Sequence, residues 1–157
     1  MKRVLFIGTK NSGRSQMAEA IVNHHYKGRI EAKSAGVNPQ SLDKITVEVL
    51  NEIGIDICGH ESHKPEDFKN ESFDYVITLC DQSREQCPVF WTQGEAIYNH
   101  INIFDPSKQG VTYFELLKAF RETRDEIEDK VTQFFDKELE WDKPNRNKIL
   151  HHPVSTF

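Results

Sequence analysis

Apolar positions follow two kinds of spacing along the chain. Val4-Leu5-Phe6-Ile7 is an unbroken apolar run behind the basic pair Lys2-Arg3. A run so short and so apolar predicts a strand buried on both faces. Gly8 to Arg14 has the Gly, Lys, Asn and Ser content of a loop. From Ser15 the pattern turns helical: Met17, Ala20 and Ile21 share a face, and Gly28 is placed to end the helix near Tyr26. Ile30 to Ala35 alternates as a second strand ending at Gly36. After the turn residues Pro39 and Ser41, a stripe of Leu42, Ile45, Val49, Leu50 and Ile53 predicts a second helix closed by Gly54. Ile55 to Cys58 is too short to classify, and Lys64 to Asn70, with Pro65 near its start, predicts one or two helical turns. Phe73 to Leu79 is the strongest strand signal after the first, and Ala96 to Phe104 is a weaker one.

Val111 to Glu140 predicts a long helix, with Phe114, Leu117, Phe120, Ile127, Val131, Phe134 and Phe135 at helical spacing. Its charges, Arg121, Arg124, Asp125, Glu126, Glu128, Asp129 and Lys130, are expected to form a solvated face. From Trp141 onward, Pro144, Asn145, Asn147 and Pro153 break any pattern and predict a tail lying on the surface or partly disordered. Strands alternating with helices imply crossover connections. The expected fold is α/β, with a parallel sheet and helices on both faces, in one domain over 1–140 followed by a tail over 141–157.

Composition narrows the function. The 157 residues are 37% hydrophobic and 29% charged, as in an ordinary globular protein. The formal net charge of −5 argues against a nucleic-acid-wrapping surface. The apolar run at the start is far short of the roughly 20 residues of a membrane helix or of a signal segment, so a soluble intracellular protein is expected. Three cysteines, Cys58, Cys80 and Cys87, fit a reducing cytoplasm better than a disulfide framework. Cys80 and Cys87 are too far apart for a C-x2-C metal knuckle. His60, His63 and the pair His151-His152 show no ligand spacing either, and read as surface residues. No metal and no organic cofactor is expected.

The first loop carries the candidate chemistry. Gly8-Thr9-Lys10-Asn11-Ser12-Gly13-Arg14-Ser15 lies between a buried strand and a helix N-terminus. Backbone amides there can form a nest for an anion, the helix dipole adds partial positive charge, and Arg14 can fork two oxygens of a tetrahedral oxyanion. An ordinary strand-to-helix connection, turned by its glycines, accounts for the same composition. It is not a G-x-x-x-x-G-K-[ST] nucleotide loop, because no Lys-Ser/Thr pair follows Gly13.

The segment from Val4 to Ala20 resembles the active-site opening of the low-molecular-weight tyrosine phosphatases, and within that family the thioredoxin-coupled arsenate reductases. The resemblance continues through Ser34-Ala35-Gly36, Glu52-Ile53-Gly54-Ile55-Asp56-Ile57, Val76-Ile77-Thr78-Leu79-Cys80, Cys87-Pro88, Phe104-Asp105-Pro106 and Arg124-Asp125-Glu126-Ile127. It implies a three-layer fold around a four-stranded parallel sheet. It also implies an oxyanion site on Thr9, Lys10, Asn11, Ser12, Gly13, Arg14 and Ser15, with phosphate, arsenate or sulfate as ligand. By the same resemblance Asp105 is the general acid, and Cys80 and Cys87 are a resolving pair reduced by thioredoxin.

Two positions depart from the family pattern. The family loop is C-x5-R, and its nucleophilic cysteine position holds Gly8 here; a second family cysteine position holds Gly13. Lys10 stands where the family usually has glycine, and a positive φ at that position would cost lysine roughly 1 kcal/mol. Glycine carries no nucleophile, and nucleophile removal costs on the order of 10⁶ in rate. Activity is therefore expected to be lost or strongly reduced. Three readings stand side by side: an oxyanion-binding relative without the standard chemistry, residual arsenate reduction through Cys80 and Cys87, and a module that binds phosphate or a phosphorylated protein. Asp105 reads equally as a plain Asp-Pro turn, and Cys80 and Cys87 as small buried hydrophobes. Cys58 is expected in the core.

Overall fold

The computed structural model describes residues 1–81 and 94–142. Four strands, β1 (Lys2–Gly8), β2 (Ile30–Gly36), β3 (Tyr75–Cys80) and β4 (Ile97–Asn102), form one parallel sheet in the order β2-β1-β3-β4. Three helices, α1 (Arg14–His25), α2 (Lys44–Asn51) and α3 (Tyr113–Asp142), and two short 3-10 helices, Pro65–Phe68 and Pro106–Lys108, complete it. The expected α/β fold on a four-stranded parallel sheet is present. The apolar spacing holds for each strand, and boundaries move by at most two residues.

Pleating explains the two cores. Val4 and Phe6 of β1 join Met17, Ile21, Leu50, Ile127, Val131 and Phe135 on one face. Leu5 and Ile7 join Phe68, Phe73 and Val76 on the other. Among the described residues all three helices bury side chains in the first cluster, and the second is covered by the turn around Phe68. Phe135 anchors α3 with edge-on contacts to Phe6 at 6.5 Å, Tyr26 at 5.9 Å and Tyr75 at 5.4 Å. Gly28 and Gly54, both at φ +81, end the turns after α1 and α2, where a left-handed residue is required.

Some expectations change. Phe114 is exposed, as are Val111 and Tyr113 beside it, so burial along α3 begins only after its first residues. Arg124 is buried rather than solvated: its Nη1 donates to the Val49 carbonyl at 2.9 Å and to Glu52 at 2.8 Å. Arg121 reaches the same carboxylate, so these charges tie α3 to α2. Cys58 is exposed, since alternation around it turns Ile55 and Ile57 inward and Asp56 and Cys58 outward. β4 gave a weak signal because it is an edge strand: Ile97 and Tyr98 are exposed and Ile101 is its one buried residue. The tail from 143 onward, and the aromatic pair Phe90 and Trp91, lie outside the described residues.

From β1 the chain passes to β2 on one side and later to β3 on the other. That reversal of direction leaves a crevice beyond the C-terminal ends of β1 and β3, the usual binding place in an open parallel sheet. The Gly8–Ser15 loop occupies it.

Candidate functional site

The loop is held from behind by its carbonyl oxygens. Those of Gly8, Thr9, Lys10 and Ser12 accept from the amides of Val37, Asn38, Gln40 and Asp43, at 3.4, 2.8, 2.9 and 3.0 Å. The Asn11 carbonyl accepts from Ser62 Oγ at 2.9 Å and Gln16 Nε2 at 3.1 Å, and the Gly13 carbonyl accepts from Met17 N at 2.9 Å. In a trans peptide the C=O and N–H point in opposite directions. Peptides whose oxygens turn outward therefore turn their amides toward the cleft. The first turn of α1 follows directly, and Gly13 at its N-cap supplies no capping side chain, so the positive end of the helix dipole faces the loop.

One residue shapes the curve. Asn11 is the described non-glycine residue with positive φ, at 51°. The strain expected at Lys10 falls instead on asparagine, which tolerates the left-handed region better. Its buried side chain is fully used. Nδ2 donates to Ser15 Oγ at 2.9 Å and Ser34 Oγ at 2.8 Å, while Oδ1 accepts from His63 N at 2.9 Å and Gln16 Nε2 at 3.2 Å. Gly36 lets the loop pack this closely: a Cβ there would lie 2.6 Å from Asn11 N and 2.8 Å from the Lys10 carbonyl carbon.

Thr9, Lys10, Asn11, Ser12, Gly13, Arg14 and Ser15, together with Gly8, line one open cleft of about 310 Å³, walled by Gln40, Ser41 and Asp43 on one side and Asp105 and Ser107 on the other. Arg14 Nη1 donates to the Ile103 carbonyl at 2.9 Å, and Nη2 lies 3.9 Å from Asp105 Oδ2. The guanidinium is thus pinned across the end of β4. Asp105 does two things at once. Its Oδ1 accepts from Ser107 N at 2.9 Å and Ser107 Oγ at 2.7 Å, which caps the Pro106–Lys108 turn, and Oδ2 faces Arg14. The Asp-Pro turn and the cleft position are therefore both real.

Cys80, at the end of β3, is fully buried and disulfide-bonded. It lies one residue past Leu79, which lines the cleft. Cys87 lies outside the described residues. Exposed Cys58 sits beside Asp56, whose carboxylate pushes the thiol up and makes it a poor nucleophile.

Sequence reasoning missed the support beneath the loop: Gln16, Glu19, Ser34, His60 and Ser62. His60, expected at the surface, is half-buried there, with Nδ1 at 3.2 Å from Gln16 Oε1 and 3.1 Å from Glu19 Oε2. Burial lowers its imidazole, against the pull of Asp56. His63 is half-buried as well, its amide held by Asn11. The available signal was the pair Gln16 and Glu19, two polar residues set among the buried apolar positions of α1.

A four-stranded parallel sheet whose first strand runs through a tightly tied loop into a helix that begins with an arginine defines a low-molecular-weight-phosphatase-like fold. Residues 3–145 match the low molecular weight phosphotyrosine protein phosphatase family, and the chain belongs to that family. It is 34% identical over 133 residues to an arsenate reductase of Shouchella clausii, covering 85% of this chain and 94% of that one. It is 32% identical over 131 residues to a glutaredoxin arsenate reductase of Synechocystis, with 83% and 94% covered. A solved arsenate reductase in its phosphate-binding state superposes with a TM-score of 0.71 at 29% identity, over 87% of this chain and 98% of that one. Among the described residues no helix is long and apolar enough to cross a membrane.

Proposed function

We propose that the Gly8–Ser15 loop holds a tetrahedral oxyanion such as phosphate, arsenate or sulfate, and that the thiolate chemistry of the family is lost or strongly reduced. The observation that carries this reading is the outward engagement of the loop carbonyls, which by trans-peptide geometry turns the following amides toward the cleft that Arg14 also lines. The chain's similarity to a reductase solved in its phosphate-binding state supports the choice of ligand. The floor of the cleft is Gly8, and a side chain with no atoms beyond Cα cannot attack phosphorus or arsenic. Calorimetric titration with phosphate, arsenate and sulfate tests the binding half. Millimolar or tighter binding that weakens at least tenfold in Arg14→Ala is expected, since a charge-assisted bond to an anion is worth about 1.5–3 kcal/mol. Absence of binding for all three anions would refute it. Hydrolysis of p-nitrophenyl phosphate at ordinary phosphatase rates would refute the second half.

A second reading rests on the disulfide state of Cys80 beside the cleft wall. In it, Cys80 and Cys87 as thiols supply two electrons and two protons to bound arsenate, which leaves as arsenite with one oxygen released as water. The resulting disulfide is then reduced by a dithiol protein of the thioredoxin or glutaredoxin class. Thioredoxin-dependent arsenate reduction that disappears in Cys80→Ser supports it. If there is no turnover and anion affinity is lost in Arg14→Ala, the protein is a binding module for phosphate or a phosphorylated partner.

A further inference from the structure

Beneath the loop, on the side away from the cleft, lies a partly buried polar cluster that the oxyanion reading does not use. We propose that Glu19 and His60 are positioning residues whose shared proton sets how tightly the loop holds its anion. The proposal rests on the oxyanion reading of the same site and adds its regulation.

Two hydrogen-bonded routes run from this pair to Asn11. In the first, His60 Nδ1 lies 3.1 Å from Glu19 Oε2 and 3.2 Å from Gln16 Oε1. Both neighbours are acceptors, so Nδ1 carries the hydrogen. That contact fixes the Gln16 amide with its oxygen toward His60. Gln16 Nε2 then points at the Asn11 carbonyl at 3.1 Å, Asn11 Oδ1 at 3.2 Å and the Glu61 carbonyl at 3.1 Å. In the second route, Ser34 Oγ donates to Glu19 Oε1 at 3.3 Å and accepts from Asn11 Nδ2 at 2.8 Å. Both routes end on the residue whose left-handed backbone bends the loop around its cleft.

The charge of the pair changes near neutrality. Burial pushes the Glu19 carboxyl up to about 7, opposed by the Ser34 hydroxyl and by Lys33 from β2. The ionisable groups facing the pair are Lys33 from the sheet and Asp56 from the segment after α2. Above that pH the pair is a carboxylate with a neutral imidazole, net −1. Below it the pair is neutral overall. A negative charge behind an anion cradle opposes binding, and its removal as pH falls strengthens binding. Protonation also turns one Glu19 oxygen from acceptor to donor, which changes what Ser34 and His60 can offer to Asn11 and Gln16.

Sulfate is the probe, because it stays a dianion across the range and its own titration does not enter. Calorimetry from pH 5.5 to 8.5 on the full chain should show sulfate binding roughly fivefold tighter at pH 6 than at pH 8. Glu19→Gln, which keeps the shape and removes the proton, should cut that ratio below twofold. Reciprocity supplies a readout that a purely structural role would leave still. By carboxyl-carbon NMR, saturating sulfate should raise the Glu19 midpoint by about one pH unit, a roughly tenfold limiting coupling of which the pH 6 to pH 8 interval spans about fivefold. Sulfate binding with a ratio below twofold in the unsubstituted protein, or an unmoved Glu19 midpoint, overturns this inference and leaves the oxyanion reading standing. No sulfate binding at any pH overturns this inference, and absence of phosphate and arsenate binding as well overturns both.

Discussion

Placing a thiol at the floor of the cleft is the sharpest test of how much catalytic machinery the loop retains. In Gly8→Cys the new Cβ would sit 3.2 Å from Ser15 Oγ, 3.4 Å from Ser15 Cβ and 3.9 Å from the Leu79 carbonyl oxygen. The first contact is tight, and Ser15 must shift by a few tenths of an ångström while keeping its bond from Asn11 Nδ2 at 2.9 Å. Such overpacking costs about 1 kcal/mol, so the variant should fold with a modestly lower melting temperature. The introduced thiol would lie against the uncapped N-terminus of α1 and near Arg14, surroundings that bring a cysteine from about 8.5 down to roughly 7 or below. Its thiolate fraction at pH 7 then rises from about 3% to half or more. If the amides and Arg14 are already arranged for a pentavalent transition state, p-nitrophenyl phosphate hydrolysis should rise at least ~10³-fold over the unsubstituted protein, part of the ~10⁶ that nucleophile removal costs. The assay pairs initial rates with the pH dependence of iodoacetate labelling, localised by mass spectrometry so that Cys58, Cys80 and Cys87 are not counted. A folded variant whose introduced thiol titrates above 8 and whose turnover matches the unsubstituted protein would refute the claim that the cradle survives.

Three further outcomes follow from particular contacts. Gly36→Ala should abolish anion binding and lower stability by about 2 kcal/mol or more in denaturant titration, because its Cβ would meet backbone atoms of Thr9, Lys10 and Asn11 that have nowhere to go. Phe135→Ala removes the fully buried ring that joins α3 to Phe6, Tyr26 and Tyr75, and should cost about 3–5 kcal/mol by chemical unfolding. Glu19 is an acid raised from 4.5 to about 7, so the folded state binds its proton more tightly. Its contribution is full below pH 4.5 and is lost as pH rises to about 7, at most ~3 kcal/mol in all. Glu19→Gln should therefore be more stable than the unsubstituted protein at pH 8, with the gap closing toward pH 5 in parallel urea titrations.

Much of the frame was legible because its signals are local. The run Val4–Ile7, the stripe of α2 and the aromatic spacing of α3 each report burial through periodicity alone. The end of α1 was readable because Gly28 sits where a left-handed residue is needed. What failed was long-range. Arg124 sits in a charged run and gives no hint that Glu52, 72 residues away, draws it inward. Cys58 looked apolar by type, yet its place in a short alternation turned it outward. The loop itself was readable by composition and resemblance, while its support was not. Gln16, Ser34 and His60 meet only through tertiary folding, and His60 is 44 residues from its Gln16 partner. A lysine in place of the family glycine points to strain at position 10, but the chain bends at Asn11, where the side chain can satisfy the turn.

The way the loop is tied has a consequence for the life of the chain. Four of its carbonyls bond to amides between Val37 and Asp43, each about 30 residues downstream, and a fifth bonds to Ser62, 51 residues away. None of these ties exists until β2, α2 and the segment after it are in place. The cradle is therefore absent from any partly folded chain, and an anion held in it binds the finished fold alone. Ligand at a hundred times its dissociation constant adds about 2.7 kcal/mol to such a protein. On the proposed oxyanion reading, a bound phosphate would act as a late-arriving keystone whether or not it is chemically changed, and the phosphate level around the protein would set how often it opens and how fast proteases remove it.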